Sequence, residues 1–383
     1  MRRRTLLRGA GATLVLVAGG GVWRAWDQGL LASDRGPAYE PWTRWQAEAA
    51  DGALGLLRAA ILAANPHNSQ PWLFRVTSER IDLFADTRRN LGAIDPYLRE
   101  MYTGVGCALE NLTLAARAAG YAPAVTLLPD PASTAHAARI ELSPGPKDVS
   151  VLYRAIPERH TNRGPYDGAR AISADVAAAL TAVAGDDARI ILFTNRGERE
   201  RAGAVIVRAT EAVIADVAQG DATSRWERFH WRQVQRHRDG ITIDATVRPA
   251  AMRAAAKMLP PLSREQNDRF WLTATQAQLA SAAAIGIVTV ADPDAARDRL
   301  RGGRAWQRLH LWATAHGLAA QPHNQPTERA DRERMLNIAP TFGRALAELI
   351  GDDRRRALMT FRLGYPTESA LPSPRRPVTD VLL

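Results

Sequence analysis

The chain has 383 residues, 46% of them hydrophobic and 23% charged, proportions that exclude wholesale disorder, collagen-like repeats and coiled-coil architecture. Fifty basic residues against 40 acidic ones leave a net charge of +10, and all of the basic residues except Lys147 and Lys257 are arginine. The arginines are spread among acids and form no basic block interleaved with aromatics, so the charge balance does not point to nucleic acid.

The chain opens MRRRTLLR and continues into the apolar run Gly9–Val22. A basic head before a short hydrophobic segment is the layout of a secretory signal. The order Arg3-Arg4-Thr5-Leu6-Leu7-Arg8 is more specific and resembles the twin-arginine export signal. The run is rich in glycine and too short for a comfortable membrane span. No small-x-small cleavage site stands out, which leaves uncleaved anchoring open. Residues 1–33 are therefore read as signal and linker, outside the fold. That implies export to the periplasm or another extracytoplasmic location, with the twin-arginine machinery as a partner.

After a Pro37/Pro41 linker, the apolar positions Ala53, Leu54, Leu57, Ile61 and Leu62 predict a helix over 43–64, stopped by Asn65-Pro66. Strands follow at 72–76 and 81–85, then a helix over 98–119 ending at Gly120. Within it, Cys107 sits in an apolar stretch and reads as buried filler. As the only cysteine it excludes an intrachain disulfide framework and any multi-cysteine metal site. Residues 123–147 are looser, with a strand at 138–142. A helix entry at 151–156 precedes the segment PERHTNRGPYDGARAI. Ser173 caps a helix over 174–183. A strand at 188–193 and a helix over 198–217 come next, then a strand at 284–290 and a helix over 303–316.

The strings GCALENLTLAARAAGYA, from Gly106, and GRAWQRLHLWATAHGLA, from Gly303, align with shared Gly, Ala, Leu, Leu, Ala, Ala, Gly and a final Ala. The match predicts an internal duplication, with one half over 34–150 and the other over 151–383. Residues 222–271 break the pattern, placing Trp226, Phe229 and Trp231 among charges. The stretch fits either a lid or a peripheral helical decoration. His230 and His237 are spaced for one helix face, but no further ligands accompany them, so no metal site is expected.

The most informative segment is Asn65-Pro66-His67-Asn68-Ser69-Gln70-Pro71-Trp72, which turns twice on prolines and offers amides and an imidazole before a strand. It resembles the Pro-x-x-x-Asn-x-Gln-Pro-Trp loop of the flavin-dependent nitroreductase superfamily, in the condensed form of the Acg-type branch of single chains with two nitroreductase-like halves. The resemblance extends from about residue 45 to the C-terminus. It implies an α+β nitroreductase-like fold whose two related halves form an intrachain pseudo-dimer with an inserted lid, monomeric in practice. It also implies FMN as cofactor, with Pro66, His67, Asn68 and Gln70 against the ring system.

Further motifs complete the expected site. Arg159-His160-Thr161-Asn162-Arg163 resembles the Arg-(Arg/His)-Ser-x-(Lys/Arg) start of nitroreductase chains. The match assigns Arg159 and Thr161 to the FMN phosphate and ribityl chain, His160 to a polar contact, and Arg163 to the N1/O2 edge, where a fixed cation favours the reduced anion. Gly317-Leu318-Ala319-Ala320-Gln321-Pro322 resembles the loop whose backbone N–H reaches flavin N5, although the family's usual acidic residue is absent. Ser373-Pro374-Arg375-Arg376-Pro377 resembles the basic tail that clamps the phosphate, with Arg375 the first choice as a bidentate partner and Arg376 beside it. The Gln-Pro-Trp loop lies only in the first half and the other motifs only in the second. One site between the halves can thus be assembled, and its pseudo-symmetric twin cannot.

The resemblance implies an FMN-dependent oxidoreductase that passes hydride or electrons to a small acceptor, with NAD(P)H or another reductant as donor. No side chain is assigned a certain catalytic role, because the flavin carries the chemistry. The alternative is an FMN-binding or storage protein with little turnover. Oxygen-dependent flavin chemistry, as in the cobalamin-ligand branch of the superfamily, ranks lower.

Overall fold

The computed structural model describes residues 23–383 except 26, 31, 32, 47–51, 247–249 and 261. The export-signal reading of residues 1–22 lies outside the described residues. Among the described residues no helix is long and apolar enough to cross a membrane.

The first half is built on β1 (Trp72–Val76), β2 (Arg80–Ala85), α1 (Arg99–Ala118), β3 (Tyr121–Leu127) and β4 (His136–Pro144). Its sheet is antiparallel, in the order β1-β2-β4-β3. Helix α1 is buried on nearly all sides, its Arg99, Glu100, Glu110 and Asn111 included. Its start is fixed by Asp95, whose carboxylate accepts from the backbone N–H groups of Glu100 and Met101 at 3.0 and 2.9 Å. Strand β3 is absent from the sequence reading because Pro123 lies inside it. A proline is tolerated at the sheet edge, which is where β3 pairs with β4.

The second half contains α2 (Ala174–Ala182), β5 (Arg189–Phe193), α3 (Arg196–Ala215), β6 (Ala284–Val290), α8 (Ala296–Ala315), β7 (Ala319–Pro322) and β8 (Arg356–Gly364). Between β5 and β6 the chain also forms α4 (Val217–Ser224), α5 (Trp231–His237), α6 (Ala250–Met258) and α7 (Arg264–Ala280). Between β7 and β8 it forms α9 (Gln325–Leu336) and α10 (Thr341–Ile350). The second sheet runs β5-β6-β8-β7, also antiparallel. Strand for strand this is the first half's order, with β6-α8-β7-β8 repeating β2-α1-β3-β4. The hairpin turn 77–79 of the first half is replaced in the second by residues 194–283.

Helices α1 and α8 pack on each other where the duplicated strings begin. A Cβ on Gly106 would overlap the carbonyl oxygen of Leu300, and one on Gly303 would overlap that of Thr103. These two glycines head the aligned strings, so the two copies of one residue meet at the centre of the molecule. Gly303 sits inside α8, which begins seven residues before the expected start at 303. The glycine there serves close helix approach.

The expected helix over 43–64 is shorter and broken: the described residues are helical at Glu40–Thr43, Gly52–Gly55 and Leu57–Ala60. Beyond it, the carbonyls of Leu62 and Ala63 accept hydrogen bonds from Arg159 and Arg375, which satisfies groups that no helical N–H reaches at a helix end. After β8 the chain returns to the first half, where Leu382 bridges Phe74 in parallel and the Leu383 N–H donates to the Phe74 carbonyl at 2.9 Å.

Candidate active site

The loop after the first helix carries three non-glycine residues with positive φ within four positions: His67 (47°), Asn68 (53°) and Gln70 (51°). Each is a left-handed conformation that costs about 1–3 kcal/mol and persists only where surroundings enforce it. The enforcing contacts are visible. The Gln70 N–H donates to Asn65 Oδ1 at 2.8 Å, and Asn68 Nδ2 donates to the carbonyls of Gly240 and Pro374. Gln70 Nε2 donates to the Arg238 carbonyl, and its Oε1 accepts from the Arg376 N–H, both at 2.8 Å. Gly104 of α1 leaves room for Pro66, whose ring a Cβ there would press.

This loop, α1 and the second half enclose a cavity of about 770 Å³. Its walls include Pro66 and His67, Thr103 and Cys107, Thr161 and Arg163, and Gln321 with Pro322 and His323. The insertion contributes Phe229, Met252, Phe270 and Trp271. Of the residues singled out by sequence, Pro66, His67, Thr161, Arg163, Gln321 and Pro322 line this space. Asn68, Gln70, Arg159, His160, Arg375 and Arg376 do not. Asn68 and Gln70 fasten the loop to the insertion and the tail, and Arg376 donates to carbonyls of Gln70 and Asp380. The ring of His160 meets Trp42 edge-on at 4.5 Å.

Arg159 and Arg375 are both buried, at 2% and 3% exposure, and neither forms an ion pair with a carboxylate among the described residues. Their hydrogen bonds go to the carbonyls of Leu62 and Ala63, to Asn68 Oδ1 and to His310, and the Nε of each has no partner. Burial pushes Arg159 down to about 10, and burial with the like charge of Arg159 pushes Arg375 well below the ordinary arginine range. Two guanidiniums closed off together without a counter-ion demand an anion. Trp42 covers Arg375, with its ring 4.8 Å from the guanidinium carbon.

Near Arg163 the imidazoles are neutral. Burial and then the charge of Arg163 lower His67 to about 4, while burial followed by Arg362 and Arg163 holds His323 well below the usual histidine value. The cavity therefore presents a fixed cation and neutral ring nitrogens rather than a cluster of charges. Sequence reading missed Arg362, a fully buried arginine of β8. It donates to Gln321 Oε1 and to the carbonyls of Gln278 and Gly164 while lying 3.8 Å over Tyr166. One side chain thereby ties the Gln321 loop to the Thr161–Gly164 segment. Its only sequence signal is a lone charge in the strand-like run LMTFRLG.

No family model matches the chain. It is 29% identical over 343 residues to "Putative NAD(P)H nitroreductase Rv3131" of Mycobacterium tuberculosis, covering 85% of this chain and 90% of that protein. It is 35% identical over 114 residues, 29% of this chain and 34% of the relative, to "Putative NAD(P)H nitroreductase acg" of the same organism. Over most of its length the chain is thus similar to a protein named as a putative NAD(P)H nitroreductase. Among solved structures, the FMN-dependent nitroreductase NfnB from Mycobacterium smegmatis in complex with NADPH aligns with a TM-score of 0.38 at 17% identity, over 60% of this chain and 96% of that one. A likeness at that level carries no weight by itself.

Across the duplication, the position that corresponds to the cavity is filled. Arg304, which stands in the register of the cavity residue Cys107, ion-pairs with Glu110 at 2.8 Å. Arg308 joins Glu110 at 3.0 Å and Asp187 at 2.8 Å and donates to the carbonyls of Val183 and Ala184. The stretch 184–188 is where a second Gln-Pro-Trp loop would stand, and these ion pairs occupy its place.

Proposed function

We propose that the protein is an FMN-dependent oxidoreductase that passes electrons from NAD(P)H or another reductant to a small acceptor bound between its halves. The observation that carries this reading is the pair of buried arginines without a counter-ion beside a cavity walled by the strained loop. The orphaned Nε atoms of Arg159 and Arg375 suit a phosphate group, and Thr161, between Arg159 and Arg163 in the sequence, lines the cavity together with Arg163. Bound there, FMN would supply reversible two-electron chemistry. Arg163 would hold a positive charge at the ring's edge, and Gln321–His323 would present backbone and neutral side chains to it. Asn68, Gln70 and Arg376 have protein partners already and would act by holding the loop in shape.

The relatives named NAD(P)H nitroreductases support the reading. To test it, the protein is folded in the cytoplasm, purified and examined by absorption spectroscopy. One FMN per chain is expected, and a colourless preparation that fails to bind added FMN overturns the proposal. Stopped-flow mixing with NADPH or NADH then separates turnover from storage. Storage is favoured by the insertion's tight fastening, in which Asp239 takes hydrogen bonds from Arg89 and Arg228. Rapid bleaching supports the oxidoreductase, and flavin unresponsive to every donor supports storage. We also propose that the N-terminal Arg3-Arg4 segment exports the chain already folded. Replacing both arginines with lysine should leave the protein in the cytoplasm in a fractionation experiment.

A further inference from the structure

On the cavity wall away from Arg163, two carboxylic side chains face each other. Glu100 lies in the first turn of α1 and Glu328 in the first turn of α9, and both line the cavity. They are 4% and 5% exposed and lie within hydrogen-bonding reach of one another. Two carboxyl groups can hydrogen-bond only through a proton held between them, because ionised oxygens are all acceptors. Glu100 Oε1 has no N–H or O–H donor other than a shared proton among the described residues. Both carboxyls lie on the cavity wall, within reach of a molecule bound there.

The surrounding charges keep that proton in place. Arg99 is committed to Asp331 at 2.8 Å and to the Leu358 carbonyl, and Asp95 is committed to the start of α1. Arg299 of α8 faces the same group and donates to the carbonyls of Pro293 and Tyr97. Arg334 pairs with Asp331 and Asp294, and Arg299 also meets Asp294; three cations, Arg99, Arg299 and Arg334, thus stand against the three anions Asp95, Asp294 and Asp331, leaving no positive charge over to neutralise a doubly ionised pair. Burial, followed by mutual proximity and Asp95, raises Glu100 well above the ordinary carboxyl range, and burial raises Glu328 to about 7.

We propose that Glu100 and Glu328 form a proton-donating dyad that serves an acceptor bound in the cavity. The electron source rests on the FMN reading above; the dyad itself does not. An acceptor that takes up a hydride equivalent from the reduced cofactor becomes an anion at oxygen or nitrogen. A new O–H or N–H bond forms at that atom as the dyad's O–H bond breaks. Both carboxyls are left ionised until a proton returns from solvent. The dyad thereby gives the cavity an acid where His67 and His323 are held neutral and Arg163 does not release protons.

The test uses the full chain and its Glu328→Gln and Glu100→Gln variants, which keep shape and a hydrogen bond. Infrared difference spectra of the flavin-free protein should show a protonated carboxyl band at neutral pH. Glu328→Gln should abolish it, because the amide donates to an ionised Glu100. Absence of the band in the parent protein overturns the dyad whether or not FMN binds. Loss of flavin binding instead overturns the function proposed above and leaves the infrared result to decide the dyad. In the dithionite-reduced flavoprotein, reoxidation by p-benzoquinone, which needs protons, is compared with reoxidation by ferricyanide, which takes single electrons. Glu328→Gln should lower the ratio of the two rates on the order of a hundredfold. The parent's quinone rate should fall as pH rises through about 7, because the dyad holds its proton below that value and loses it above. An unchanged ratio, or a variant with the parent's pH profile, refutes the assignment.

Discussion

At the scale of single residues, Arg159 and Arg375 are costly for the empty protein and productive when an anion is present. A buried charge without a partner destabilises the fold that holds it. Arg375→Met should therefore leave the flavin-free protein at least as stable as the parent, measured by thermal midpoint, while weakening FMN binding about ten- to a hundredfold through the lost charge-assisted bonds. Unchanged affinity in a fluorescence-quenching titration would remove both residues from the phosphate role. His310, packed against Arg159, gives a second test. Burial and then the charge of Arg159 hold its pKa well below the ordinary value, so the native state leaves the ring neutral while the unfolded chain protonates it below about 6.5. Its contribution to stability is present above that pH and is lost on acidification. The stability difference between His310→Asn and the parent should shift toward the variant between pH 7.5 and pH 5, and a shift the other way contradicts the assignment.

At the scale of elements, the two central helices depend on glycines that have no conformational need to be there. Gly303→Ala forces a methyl group onto the Thr103 carbonyl and should cost about 3 kcal/mol in denaturant unfolding. Gly317→Ala makes a useful comparison, since Gly317 has open space but a positive φ of 72° and should cost only about 1 kcal/mol. Equal losses would show that the α1–α8 contact tolerates separation. The repeated string around Gly106 and Gly303 was legible because close helix packing leaves a compositional trace: small residues on one face, leucines on another. Strands β1, β2, β5 and β6 were legible from their runs of branched and aromatic residues. Strands β7 and β8 were not, since β7 is four residues that include Pro322 and β8 carries buried Arg362. The end of the helix near residue 60 was partly hidden, because the arginines that cap its carbonyls lie about a hundred and three hundred residues away in the chain. The loop at 65–72 could be recognised from its string, but the division between residues that face the cavity and those that brace the loop depends on backbone left-handedness that no residue type there announces.

At the scale of the whole molecule, the insertion is held over the cavity by polar fastenings together with Val234 in the main core and Ala222 and Trp271 beside Leu91 and Ile94. Asp239 is the chief polar fastening, binding Arg89 of the first half and Arg228 within the insertion. Lys257 adds another by pairing with Asp244 at 2.8 Å and donating to the Gly29 carbonyl. Losing one carboxylate that holds two arginines is worth about 1–3 kcal/mol. Asp239→Asn should therefore raise the open population roughly tenfold and speed tryptic cleavage at Arg225–Arg238 in proportion. Cleavage elsewhere first, or at the parent's rate, would mean that the insertion is integral to the fold.

Joining both halves in one chain also changes how the molecule responds to dilution. In an assembly of two separate subunits, a pocket made by both partners disappears when concentration falls below the dissociation constant. Here the partner is tethered, at an effective concentration in the millimolar range for a short connection. The connection runs from β4 to the helical turn at Val151–Arg154. A pocket between two halves joined in this way does not come apart on dilution. On the opposite side, the ion pairs of Glu110, Asp187, Arg304 and Arg308 fill the place where a second such pocket would stand.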